Sequence, residues 1–132
     1  MKVTDILISQ HAPLAASSPY PAIEAAYGVK ISFNPFFVIE AVSSKEFRSQ
    51  RINVLDYTAV VFSSKTAIDA YFHLCEELRI KVPETMKYFC STESVAKYLQ
   101  KYIVYRKRKI FFGSGTADSL IAEIGSKHSG ER

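Results

Sequence analysis

Strand and helix signals alternate along this chain, which predicts an α/β fold with a parallel sheet flanked by helices. Three observations carry that reading. Thr58–Phe62 is a short, unbroken, β-branched run, followed at once by Ser63, Ser64 and a long stretch with helical apolar spacing. The same order of apolar strand, Ser/Thr turn and helix returns at Ser91 and Ser114, with spacing too uneven for a sequence repeat. The composition is globular, at 48% hydrophobic and 23% charged residues.

Taken in order, Asp5–Ser9 is a continuous apolar run of the kind a strand shows when both its faces are buried. Gln10–Pro19, rich in Ala, Ser and Pro, is a loop. Pro21 can open a short helix, Ala22–Tyr27, because its missing N–H is not needed in a first turn, and Gly28 closes it. Val29–Phe33 alternates as a second strand, and beyond Pro35 the segment Phe36–Val42 continues as extended apolar chain. Ser43 with Glu46 forms a capping box, so a helix begins near Ser44 and ends before Asn53. After the strand Thr58–Phe62 comes the strongest helix, Lys65–Arg79, with Ala67, Ile68, Tyr71, Phe72, Cys75 and Leu78 on one face. Met86–Cys90 reads as a strand, Glu93–Lys101 as a helix with Val95, Ala96 and Leu99 inward, and Ile103–Tyr105 as a further strand. The basic turn Arg106–Lys109 follows, then the extended run Ile110–Phe112. Gly113-Ser114-Gly115-Thr116 turns into a last helix, Ala117–Ile124, stopped by Gly125, and residues 126–132 form a polar tail.

Several function classes fall away. The longest apolar runs are too short to span a bilayer, and Asp5 with no long apolar stretch argues against a signal peptide, so a cytoplasmic location is expected. Cys75 and Cys90 lie in apolar stretches and read as reduced, buried core residues. There is no GxGxxG, Walker loop, CxxC or HExxH, and His11, His73 and His128 are dispersed, so neither a metal nor a cofactor is expected. Gly113-Ser114-Gly115 resembles a nucleophile elbow only superficially, without a His or Asp partner in view. The net charge of +4 is a mild excess, below that of a nucleic-acid-binding protein, and suits an anionic small ligand as well as it suits none.

The candidate site lies in the loops. In open α/β sheets ligands bind beyond the carboxyl ends of strands, where helix N-termini present unpaired amides and a positive dipole end. Ser63, Ser64, Lys65 and Thr66 form one such turn, Thr92 and Ser94 belong to a second, and Ser114 to a third. Each turn can also be read as plain helix capping, worth about 1 kcal/mol. Three on one sheet edge would make a rim that gathers carboxylates or phosphates without special side chains. Arg106-Lys107-Arg108-Lys109 is the one dense charge run, read first as a solvated turn between two strands and otherwise as a contact for an acidic ligand or for nucleic acid.

The words and their order resemble the uroporphyrinogen-III synthase family (HemD-like). Thr58-Ala-Val-Val-Phe-Ser-Ser-Lys-Thr-Ala-Ile68 is similar to that family's apolar strand followed by Phe-Thr-Ser, two variable residues and Ala-Val. Tyr88-Phe-Cys-Ser-Thr-Glu-Ser-Val-Ala-Lys-Tyr-Leu99 looks like its second strand–turn–helix, and Gly113 with Ala117-Asp118-Ser119-Leu120 like its third. Ile6-Leu7-Ile8-Ser9 and Asn34-Pro35-Phe36-Phe37 fit its first strand and proline-bearing crossover.

This resemblance implies two α/β domains around a cleft, the first of them discontinuous. Residues 1–38 would be its first piece with the crossover, and residues 43–125 most of the inserted second domain. The chain stops after a helix, so the returning piece of the first domain, with the family's catalytic tyrosine, is expected beyond Arg132, and this length alone is expected to be inactive. The implied activity is that of a cofactor-independent lyase of porphyrin and haem biosynthesis. It closes the linear tetrapyrrole hydroxymethylbilane into uroporphyrinogen III, with loss of water and inversion of the last ring. Substrate contacts would come from Ser63, Ser64, Lys65, Thr66, Thr92, Ser94 and Ser114. The family's Gly-x-Ala-Thr-Ala word falls on Thr92–Ala96, so its threonine has become Val95, with Ser94 adjacent. An arginine often follows the family's first strand, where Gln10 stands here. The other expectation is a non-catalytic α/β module that binds a partner through the turn 106–109.

Overall fold

The computed structural model describes residues 2–14 and 17–132, which form two compact units, 1–40 and 41–132. The expected parallel α/β architecture is present in both.

In the first unit, β1 (Asp5–Ile8) and β2 (Lys30–Phe33) pair in parallel with Ile6 opposite Ile31 and Ile8 opposite Phe33. Helix α1 (Tyr20–Tyr27) makes the crossover, with a proline in its first turn and Gly28 as the left-handed C-cap, φ 62°. Gly28 donates its amide to Glu24 O at 2.9 Å. Tyr20 meets Phe33 edge-on at 5.0 Å, and Glu24 Oε1 accepts the amide of Ile31 at 2.7 Å. The strand expected to be buried on both faces is not: Ile6 and Ile8 are half-buried, while Leu7 is 58% exposed. A run of consecutive apolar residues does not reveal that a single helix covers only one side of a two-stranded sheet. Phe36–Val42 joins no sheet ladder, and Phe36, Phe37, Val38 and Ile39 are exposed.

The second unit begins with α2 (Ser44–Ser49), capped by Ser43, whose hydroxyl accepts the amide of Glu46 as the capping box predicts. Three parallel strands follow in the order β3 (Ala59–Phe62), β4 (Lys87–Cys90), β5 (Ile110–Phe112). Helices α3 (Lys65–Glu77) and α4 (Glu93–Tyr98) make the two crossovers. Both cover one face of the sheet, where Phe62, Tyr88, Cys90 and Ile110 pack with Ile68, Val95, Ala96 and Leu99. Ile68, Cys90, Ala96 and Leu99 are fully buried. Cys75 and Cys90 are free thiols and buried, and burial pushes the Cys90 thiol up to about 12.

The last helix, α5 (Ala117–Ile124), lies on the opposite face, from which Phe89 and Phe111 project. Those two rings stack at 5.1 Å, and His128, in the turn after α5, packs against both. Residues 126–132, read from sequence as a polar tail, are docked. Lys87 pairs with Glu131, and Arg132 O accepts the amide of Thr58 at 2.7 Å.

Ile103–Tyr105 is not a strand, contrary to expectation. Ile110 already stands opposite Tyr88 and fills the sheet position beside β4. Ile103 and Tyr105 pack from a loop against the core instead, and Val104 is 77% exposed. The turn Arg106–Lys109, closed by Lys109 N donating to Arg106 O at 2.9 Å, therefore joins a loop to a strand rather than two strands.

Candidate functional site

The change of face between α4 and α5 positions the site. The chain leaves β4 toward one side of the sheet and leaves β5 toward the other, so the two loops part above adjacent carboxyl ends and open a crevice. This is the topological switch point at which open α/β sheets bind ligands. Thr92, Glu93 and Ser94 line one wall, and Gly113, Ser114, Ser119 and Glu123 the other, with Phe112 between.

Hydrogen bonds stitch the loops together past the ends of the strands. Gly113 N donates to Cys90 O at 3.0 Å and Gly115 N to Ser91 O at 2.9 Å. Ser91 in turn donates its amide to Phe62 O at 2.9 Å and its hydroxyl to Ser63 O at 3.0 Å. All three strand–helix turns thus sit on one margin of the sheet.

Each turn is capped by a hydroxyl that accepts an amide three residues on. Ser64 takes that of Ala67 at 3.1 Å, Thr92 that of Val95 at 3.3 Å, and Thr116 that of Ser119 at 3.2 Å. The third cap is therefore Thr116 rather than Ser114. The amide of Ser114 donates to Ser119 Oγ at 2.9 Å, and that hydroxyl donates to Thr116 O at 2.7 Å, so Ser119 pins the turn from within. Gly113 makes room for it: a Cβ there would stand 2.5 Å from Ser119 Oγ and 2.9 Å from Leu120 N.

Of the residues singled out from sequence, Thr92, Ser94 and Ser114 come together in the crevice. Ser63, Ser64, Lys65 and Thr66 stand one loop away at the end of β3, joined to the crevice loops through Ser91. The ammonium of Lys65 lies over the Tyr98 ring, 5.6 Å from its centre. Val95, at the family's threonine position, is buried in the core and offers no polar atom to a ligand, while Ser94 is exposed on the crevice wall. Sequence reasoning missed Gly113, Ser119, Phe112, Glu93 and Glu123. The legible signal was a serine three residues after Thr116, the spacing at which a side chain meets a helix cap.

The side chains that line the crevice bring negative charge to it. Among the described residues the lining holds two carboxylates, Glu93 and Glu123, and no cation. Glu93 is partly neutralised by Lys97 at 2.8 Å. The caps take the amides of Val95 and Ser119, which leaves those of Glu93, Ser94, Ala117 and Asp118, with the helix dipoles, as the donors at the two helix starts. Among the described residues no helix is long and apolar enough to cross a membrane.

A parallel α/β unit with its ligand crevice at a switch point, edged by capped helix starts, is the framework of a small-molecule-binding α/β protein. Residues 21–132 match the family model HEM4, uroporphyrinogen-III synthase HemD, and the chain belongs to that family. No curated protein and no solved structure matches it significantly.

Proposed function

We propose that the chain takes part in closing hydroxymethylbilane to uroporphyrinogen III, the cyclising lyase step of tetrapyrrole synthesis, and that the β4–β5 crevice holds part of the substrate. The observation that carries the reading is the convergence of the Thr92 and Ser114 loops on one crevice, in a chain that belongs to the HemD family over residues 21–132. The substrate carries eight carboxylates, and amides at helix starts accept such groups without a metal or a charged side chain. In this reading Thr92, Ser94 and Ser114 meet the substrate directly, and Ser63, Ser64, Lys65 and Thr66 extend the rim along the end of β3. Residues 1–38 are proposed as the first piece of a discontinuous domain and residues 43–125 as most of the inserted one. The protein's part is to hold a flexible chain in the geometry that favours one ring closure, so its catalysis is chiefly positioning.

Binding and turnover are measured separately. Uroporphyrin III, a stable octacarboxylate, is titrated into isotope-labelled protein; shifts confined to amides of residues 92–94 and 113–119 are expected. Shifts elsewhere, or none, overturn the assignment of the crevice. Fresh hydroxymethylbilane is then supplied and isomers I and III are separated; isomer III above the spontaneous background supports the cyclase reading, and isomer I alone counts against it.

A further inference from the structure

A second concavity lies at the other end of the same sheet, beside the amino ends of β4 and β5. It encloses about 210 Å³, below the roughly 300–1,000 Å³ typical of small-molecule sites. That is room for one large apolar side chain and far too little for a tetrapyrrole. Val82, Ile103, Val104 and Ile110 form apolar walls, and Arg106 and Lys109 bring two cations to the lining. Lys107 and Arg108, exposed in the same turn, prolong the charge outside the cavity. Among the described residues none of these four cations makes an ion pair, although Lys109 is only partly exposed and Glu84 lines the same cavity.

We infer that this face docks an acidic peptide segment of a partner protein, one apolar side chain filling the cavity and carboxylates on either side meeting residues 106–109. The cavity's size selects a single anchor. The cations inside and outside it select a ligand whose negative charge extends beyond that anchor, which a small carboxylate does not provide. Nucleic acid is disfavoured because its charge lies on a backbone with no apolar group shaped for an aliphatic slot. The site shares no lining residue with the β4–β5 crevice, so each can fail independently of the other.

The test uses fluorescein-labelled peptides with the cores Glu-Glu-Phe-Glu-Glu and Glu-Glu-Gly-Glu-Glu, and a labelled single-stranded oligonucleotide, followed by anisotropy. The phenylalanine peptide should bind at least about tenfold more tightly than the glycine peptide, since a buried aromatic anchor dominates such contacts. Arg106→Glu with Lys109→Glu should weaken its binding by a further factor of about ten, and Val104→Gln, an uncharged change at an exposed wall position, should also weaken it by putting a polar group on the apolar wall. Melting curves for both variants within a few degrees of the parent establish that the fold is retained. Equal affinity for the two peptides, no effect of the charge reversal, no binding, or tighter binding of the oligonucleotide each overturns the proposal.

Discussion

The hydroxyl of Ser91 donates to the carbonyl of Ser63 across 3.0 Å, tying the turn after β4 to the turn after β3. Neither residue lies in regular structure, so this bond stands in for the ladder where the strands have ended. Ser91→Ala should cost about 1 kcal/mol, the usual net worth of such a bond. A domain of this size then melts roughly 4–8 °C lower, which calorimetry reads directly. An unchanged melting temperature would mean that the loops are held by their backbone bonds alone.

Gly113 governs the shape of the crevice wall. Gly113→Ala places a methyl against Ser119 Oγ and the backbone of Leu120, and the backbone cannot swing aside as a side chain can. A loss of about 1–3 kcal/mol is expected, as for other overpacked sites. Removing the hydroxyl as well, in Gly113→Ala with Ser119→Ala, should recover only part of it, because the contact with Leu120 N remains. Urea unfolding of the single and double variants separates the two contributions.

Packing predicts a sharp contrast along the helix–loop segment after β4. Leu99 is fully buried under the sheet, so Leu99→Ala should cost about 2–5 kcal/mol. Val104, five residues on, is 77% exposed, and Val104→Ala should change stability by no more than about 0.5 kcal/mol. Chemical denaturation of both variants checks the placement of Ile103–Tyr105 outside the sheet.

Asp69 links α3 to the end of α4 through the hydroxyls of Tyr102 and Tyr98 and the ammonium of Lys101. The hydrogen bonds from Tyr102 and then Lys101 hold its carboxyl below the usual aspartate range. A depressed folded value stabilises the protein above the unfolded value, near about 3.9, and that stability is lost as pH falls through the folded one. The parent should therefore lose stability below about pH 4 more steeply than Asp69→Asn, in which this group no longer titrates. Parallel acid-limb curves for the two proteins would show that ionisation of Asp69 is not coupled to folding.

The central features of the second unit were legible because they are local. The β-branched run before Ser63 marked β3, and the apolar period from Ala67 to Leu78 marked α3, with Ile68 and Cys75 buried. Ser43 declared itself as a cap through Glu46, three positions on. What escaped depends on partners distant in sequence. Lys65 lies over Tyr98, a residue on another helix, so no reading of its own turn could place its charge. The third turn offered both Ser114 and Thr116, and only the fold shows that Thr116 caps the helix while Ser119 holds the amide of Ser114. Ile103–Tyr105 has the composition of a strand, yet Ile110–Phe112 holds the ladder beside β4. The one-sidedness of β1 followed from how many helices cover it, which an apolar run does not encode.

A margin built from main-chain amides is unusually tolerant of mutation. Peptide N–H groups come with nearly every codon, so Glu93, Ser94, Ala117 and Asp118 can be exchanged without erasing the donors at the two helix starts. Selection then acts on the exceptions, such as Gly113 beside Ser119, where a side chain would close the space. Drift in the remaining positions leaves the arrangement standing while its spelling becomes hard to recognise.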